Sequence, residues 1–82
     1  MGEKIEVGFH AFVAGDREEF GAVREVFSNG MIVYVENAGD FMVPFAVVEA
    51  VHSQKVIFTR AQLDPRMQQA ILRAHDAEVP GV

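Results

Sequence analysis

The sequence has 82 residues and contains no cysteine, no tryptophan and only three prolines. The absence of cysteine excludes disulfides and metal sites built on thiolates. No apolar run approaches the ~18 residues that a membrane span needs, so we expect no membrane insertion. The apolar stretch 7–14 follows Glu3 and Glu6 rather than a basic segment, so it does not resemble a signal peptide, and we expect a cytoplasmic protein.

Basic residues are also few. The chain has 7 Lys and Arg against 12 Asp and Glu, which gives a net charge of −5. The basic residues are scattered along the chain and no two are adjacent. Binding to a phosphate backbone needs clustered positive charge, so we expect no nucleic-acid partner. Most of the 7 phenylalanines are then predicted to be core residues rather than a base-stacking surface.

The usual motifs of catalysis and metal binding are missing as well. No nucleophile is spaced to a base, and no glycine-rich segment is followed by the Lys-Ser/Thr of a phosphate loop. His10, His52 and His75 fall on a predicted strand, near a hairpin and on a predicted helix, without metal-ligand spacing. We therefore expect no catalytic residues, no metal, no cofactor and no enzymatic activity.

The sequence does contain a series of short, β-branched apolar runs separated by turn residues. Such runs are typical of strands in a small all-β unit. Ile5, Val7 and Phe9 alternate with Glu6 and Gly8, so residues 5–14 are predicted to form a strand with one wet face. Turns are predicted at 15–19, 28–30, 36–40 and 52–55. The predicted fold is mainly β: a small antiparallel β-barrel of five or six strands followed by one C-terminal α-helix.

Three positions in the predicted β region carry conformational signals. Asn29-Gly30 between apolar runs predicts a type I′ turn, in which both residues have positive φ. Gly21 inside a strand predicts a bulge or a close backbone crossing. Pro44 is predicted to end its strand or to lie at a sheet edge, because proline donates no ladder hydrogen bond.

The pattern changes after Arg60 to a helical one. Leu63, Met67 and Ile71 recur at a spacing of four, which predicts an apolar stripe on one helix face. Asp64 is a suitable N-cap and Pro65 suits the first helical position, so a helix is predicted over 64–76. The stripe either packs over an open end of the barrel or pairs with a second copy or a partner.

Two segments resemble a known family. They are Phe20-Gly21-Ala22-Val23 followed by Arg24-Glu25-Val26, and Phe41-Met42-Val43-Pro44-Phe45-Ala46-Val47-Val48 followed by Val51 and Val56-Ile57-Phe58. This pattern resembles the PRC-barrel domain of the photosynthetic reaction centre H subunit and of the ribosome maturation factor RimM, and its short stand-alone bacterial relatives. The chain then divides into a PRC-barrel-like β domain, residues 1–60, and a C-terminal helix, residues 61–78, of the same single domain. A generic SH3-like barrel has much the same spacing.

The resemblance implies a docking role without catalytic residues. We therefore expect a non-enzymatic protein-binding or adaptor module whose protein partner is unknown. Phe45 is a candidate partner-binding residue, because it follows Pro44 in a turn where a core position is less assured. The stripe of Leu63, Met67 and Ile71 supplies the other candidates. The alternatives are an SH3-like barrel that binds nucleic acid and a small-ligand-binding barrel. A homodimer is also open, because a chain this short buries a marginal core.

Overall fold

The computed structural model describes residues 4–77. In that part of the chain, six strands form one sheet and a single α-helix follows them. The elements are β1 (His10–Val13), β2 (Gly21–Val26), β3 (Gly30–Val35), β4 (Gly39–Pro44), β5 (Val48–His52), β6 (Lys55–Phe58) and α1 (Pro65–Ala77). Short 3-10 helices lie at Phe45–Val47, between β4 and β5, and at Arg60–Gln62, before α1. The sheet order is β4-β3-β2-β1-β6-β5, and the sheet curls into a half-barrel. The predicted class, mainly β with one C-terminal helix, is confirmed.

The sheet is mixed rather than wholly antiparallel. β1 pairs with β6 in parallel, with His10 opposite Lys55 and Val13 opposite Phe58, whereas the other strand pairs are antiparallel. The expectation of an all-antiparallel barrel is corrected at this pair. Hairpin turns fix the direction of strands that follow one another. No turn joins β1 to β6, so their relative direction has no local signal in the sequence.

The first strand is shorter than predicted. The strand predicted over 5–14 begins only at His10, because a turn at Val7–Gly8 interrupts it. Gly8 has a φ of +97°, a left-handed conformation that glycine adopts without strain. Val7 is consequently 64% exposed, whereas the alternation of buried and accessible residues starts at Phe9.

The Asn29-Gly30 turn is not of the predicted type. Neither Asn29 nor Gly30 has a positive φ. The pair of left-handed residues that a type I′ turn requires is Ser53 and Gln54, with φ of 52° and 62°, in the two-residue turn between β5 and β6. Gly30 is needed for space instead, because a Cβ there would lie 2.6 Å from the carbonyl oxygen of Val43.

The predictions for Gly21 and Pro44 agree with the structure. A Cβ on Gly21 would overlap the carbonyl oxygen of Tyr34, so a neighbouring strand passes too close for any side chain. The bulge of β2 lies two residues further on, where the register shifts between Val23 and Glu25. Pro44 ends β4, which is an edge strand of the sheet.

The helix begins where its local signals predict. The Asp64 carboxylate accepts a hydrogen bond of 2.7 Å from the backbone N–H of Arg66, and Pro65 is the first helical residue. This cap satisfies one of the free N–H groups of the first turn. The end of the helical segment proposed at residue 78 lies outside the described residues. Within residues 4–77, no helix is both long and apolar enough to cross a membrane.

The hydrophobic core lies between the curled sheet and one face of the C-terminal segment. That segment contributes five buried residues, which are Leu63, Met67, Ala70, Ile71 and Ala74. The sheet contributes most of the rest, including Phe58. Phe20, which directly precedes β2, is also buried, and the ring centroids of Phe20 and Phe58 are 6.1 Å apart. The helical stripe is therefore buried against the sheet of the same chain.

Candidate functional site

An apolar cleft of about 380 Å³ opens on the surface beside β5. It is lined by Lys4, Ile5, Val26, Phe27, Phe45 and Val51, and we call it the Phe45 cleft. Five of these residues are apolar, and they come from four separate parts of the chain. The cleft therefore depends on the tertiary structure and not on any one segment.

Two backbone hydrogen bonds hold the aromatic residues of this cleft in place. Phe45 opens the 3-10 helix after Pro44, and its N–H donates to the carbonyl oxygen of Asn29 at 3.3 Å. This bond ties the corner between β4 and β5 to the turn between β2 and β3. The N–H of Phe27 donates to the carbonyl oxygen of Gly30 at 2.8 Å, across the same turn. Phe27 and Phe45 are thus held on neighbouring, hydrogen-bonded backbone.

The cleft leaves apolar surface in contact with water. Phe27 is 41% exposed, and Phe45, Val26 and Val51 are half-buried. Complete burial of a large apolar side chain is worth about 1.5–3 kcal/mol, so covering this surface would be favourable. Lys4 is exposed and supplies the single charge among the lining residues. The chemistry that the cleft offers is therefore binding of an apolar group.

A second cavity, of about 280 Å³, lies between the edge strand β4 and the beginning of α1. We call it the β4–α1 groove. Its lining residues are Met42, Val43, Pro44, Val47, Gln62, Leu63, Asp64 and Met67. Met42 at its margin is 51% exposed, whereas Leu63 and Met67 are buried.

The four predicted partner-binding residues are separated by the structure. Phe45 lines the Phe45 cleft, while Leu63 and Met67 line the β4–α1 groove. Ile71 is 1% exposed and packs in the core, and it lines neither cavity. Sequence reasoning did not select Phe27, although it directly precedes the Ser-Asn-Gly turn. The sequence offered one signal for the exposure of Phe27, namely its position at the C-terminal end of a predicted strand beside a turn, and this signal is weak.

The histidines that the structure describes do not come together in a metal site. His10 Nδ1 lies 2.8 Å from a carboxylate oxygen of Glu19, and both side chains are exposed. His52 ends β5 and is also exposed. Within the described residues, no group of three His, Cys, Asp or Glu side chains is arranged to hold a metal ion. The side chain of His75 lies outside the described residues.

Several basic side chains are engaged within the protein. Arg24 forms an ion pair with Asp40 at 3.0 Å, and Arg60 forms one with Asp16, also at 3.0 Å. The ammonium group of Lys55 lies 5.4 Å from the centre of an aromatic ring. In two of these three contacts the positive charge is paired with a carboxylate of the same chain.

Comparisons with protein-family models, with curated proteins and with solved structures find no match for this chain.

Proposed function

We propose that this protein is a non-enzymatic protein-binding module of the PRC-barrel type. Its partner inserts an apolar side chain into the Phe45 cleft. The observation that carries the proposal is the cleft itself, in which Phe27 stays 41% exposed beside the half-buried Phe45. Contiguous exposed apolar surface of this kind marks sites of interaction in soluble proteins.

The composition of the cleft favours a protein partner over a small ligand. The volume of about 380 Å³ is within the range of small-molecule sites, and this keeps the ligand-binding barrel as a second candidate. Small-molecule sites, however, combine apolar walls with several placed polar groups. Among the lining residues here, only Lys4 carries a polar side chain. An apolar cleft without placed polar groups is sufficient to bind an aliphatic or aromatic side chain of a partner protein.

The PRC-barrel assignment draws support from the two segments that resemble the family. Gly21 of the first segment lies at a crossing that excludes any side chain, which gives the hydrophobic-Gly-x-Val pattern a structural reason. Pro44 of the second segment ends the edge strand and places Phe45 in the corner that follows. The two motifs thus coincide with a close approach of neighbouring strands and with the end of an edge strand.

The proposal can be tested by capture from a cell lysate with three immobilised proteins: the parent, Phe27→Ser, and Leu72→Ser as a matched control. Leu72 is 47% exposed on α1 and lines neither cavity. We expect at least one protein to be retained by the parent and by Leu72→Ser but lost with Phe27→Ser. Titration of that purified partner should show an affinity loss of ~30-fold or more, the size of an interface hot spot.

Equal retention by all three proteins would contradict the proposal. Native mass spectrometry of the purified protein distinguishes the ligand-binding barrel from the protein-binding module. An apolar small molecule bound to the parent, and absent from Phe27→Ser, would favour the ligand-binding barrel.

A further inference from the structure

The strand β4 has one side without a neighbour in the described sheet. It pairs with β3 from Gly39 to Pro44 and stands first in the sheet order. In an antiparallel ladder, residues that bond the neighbouring strand alternate with residues whose backbone groups point away from it. Phe45 N–H bonds to Asn29 on the β3 side, and proline at position 44 has no N–H to give. The alternation therefore directs the backbone groups of Asp40 and Met42 to the free edge.

This free edge borders the β4–α1 groove. Met42, Val43 and Pro44 form one wall, and the N-terminal part of α1 with the residues before it forms the other. Leu63 and Met67 are buried and give the groove an apolar floor. A strand edge beside a helix is a geometry in which an extended peptide adds a strand, with main-chain hydrogen bonds for affinity and a pocket for alternate side chains.

The charge of the groove indicates what kind of peptide fits. Asp64 is its one charged lining residue. One carboxylate oxygen of Asp64 caps α1, and the residue as a whole is exposed. The chain carries a net charge of −5, which attracts a cationic segment over longer distances.

We propose that the β4–α1 groove binds an extended, cationic segment of a partner protein. The segment pairs with β4 as a seventh strand, places one apolar side chain over Leu63 and Met67, and directs a Lys or Arg to Asp64. This site shares no lining residue with the Phe45 cleft, so it does not depend on the function proposed above.

A second copy of this chain fits the same edge less well. Two β4 strands pairing about Met42 would bring together two chains that each carry a charge of −5. Like charges in close contact oppose such pairing. A dimer through β4 is therefore the competing outcome of the experiment below.

The first test is selection from a phage-displayed library of random linear ten-residue peptides on the immobilised protein. We expect enriched sequences with Lys or Arg and with apolar residues at alternate positions, because a strand presents alternate side chains to one face. Failure to enrich any sequence would overturn the proposal. So would enrichment of apolar residues at helical spacing, or of acidic peptides.

The second test uses one enriched peptide and two variants at the same position. Met42→Pro removes the N–H that points to the free edge, and Met42→Ala keeps it. We expect Met42→Pro to weaken binding about tenfold, because one main-chain hydrogen bond to the peptide is lost and its neighbours are disturbed, and Met42→Ala to weaken it less. As an independent measurement, N-methylation of the peptide at alternate amides should cause a similar loss with the unmodified protein. Full-strength binding of every N-methylated form would overturn strand addition.

The third test concerns charge and keeps the helix cap. Asn is as good an N-cap as Asp, so Asp64→Asn removes the charge alone. We expect a ~2- to 5-fold loss of affinity for the cationic peptide, as for an exposed ion pair. Phe27→Ser should leave peptide binding unchanged, whereas a loss there would assign the peptide to the Phe45 cleft. A parent that light scattering shows to be dimeric, with Met42→Pro monomeric, would assign the β4 edge to a second copy.

Discussion

Gly30 shows how one residue can be required for a reason other than its backbone angle. It lies in β3 beside β4, and a Cβ there would meet the carbonyl oxygen of Val43 at 2.6 Å. We expect Gly30→Ala to lower the free energy of unfolding by about 1–3 kcal/mol, because the two strands must move apart. Urea denaturation of the variant and the parent measures this loss.

Asn29→Ala is the matched control for Gly30→Ala. A type I′ turn would favour Asn at this position, whereas the φ of Asn29 is not positive here. We expect a change of less than ~0.5 kcal/mol, as for most surface substitutions. A loss of about 1 kcal/mol or more with Asn29→Ala would instead indicate the type I′ turn that the sequence suggested, because Ala tolerates a positive φ less well than Asn.

Ser53 offers the opposite case, a residue that can be improved. It has a φ of 52° in the turn between β5 and β6, a conformation that Asn tolerates better than most residues. We expect Ser53→Asn to raise the free energy of unfolding by ~0.5 kcal/mol. Ser28→Asn is the control, because Ser28 does not have a positive φ. Thermal melts should show the rise only for Ser53→Asn, and equal melts for both variants would contradict the turn geometry.

At the scale of elements, the sequence predicted best where the signal is local. Asp64 and Pro65 lie next to the helix they begin, and the structure shows the cap that their order predicts. The Asn29-Gly30 signal failed because tertiary contacts with β4 set the backbone there. The parallel pairing of β1 with β6 had no local signal at all. Phe45 was named as a candidate partner-binding residue from its position after Pro44, which is a local signal. The exposure of Phe27 depends instead on which segments surround it in the fold, so the local sequence could not predict it.

The packing of α1 on the sheet leads to a prediction that compares two of its residues. Met67 is 1% exposed and belongs to the core, whereas Leu72 is 47% exposed on the opposite side of the helix. We expect Met67→Ala to lower the free energy of unfolding by about 2–5 kcal/mol through lost burial and a residual cavity. Leu72→Ala should change it by less than ~0.5 kcal/mol. If chemical denaturation gave similar losses in the free energy of unfolding for Met67→Ala and Leu72→Ala, the stripe would not be packed on the sheet.

At the scale of the whole molecule, charge decides which partners are attracted. The net charge is −5, and Arg24 and Arg60 already pair with Asp40 and Asp16. We expect no binding of labelled single-stranded DNA or RNA tighter than ~10⁻⁴ M in fluorescence anisotropy, because no clustered cations release counterions. Micromolar affinity that falls steeply with added salt would instead favour the nucleic-acid-binding barrel.

The parallel pair of β1 and β6 also has a consequence for how the chain folds. The strands β2, β3 and β4 form successive hairpins, and β5 and β6 form another, so each group closes through short loops. Joining β1 to β6 instead requires closure of a loop that contains β2 through β5. Closing this long loop costs conformational entropy before the contacts between β1 and β6 can stabilise the structure. Docking of the two groups of strands is therefore expected to limit the folding rate. Substitutions in the β1–β6 seam should therefore slow refolding more than equally destabilising changes at the outer strand β4.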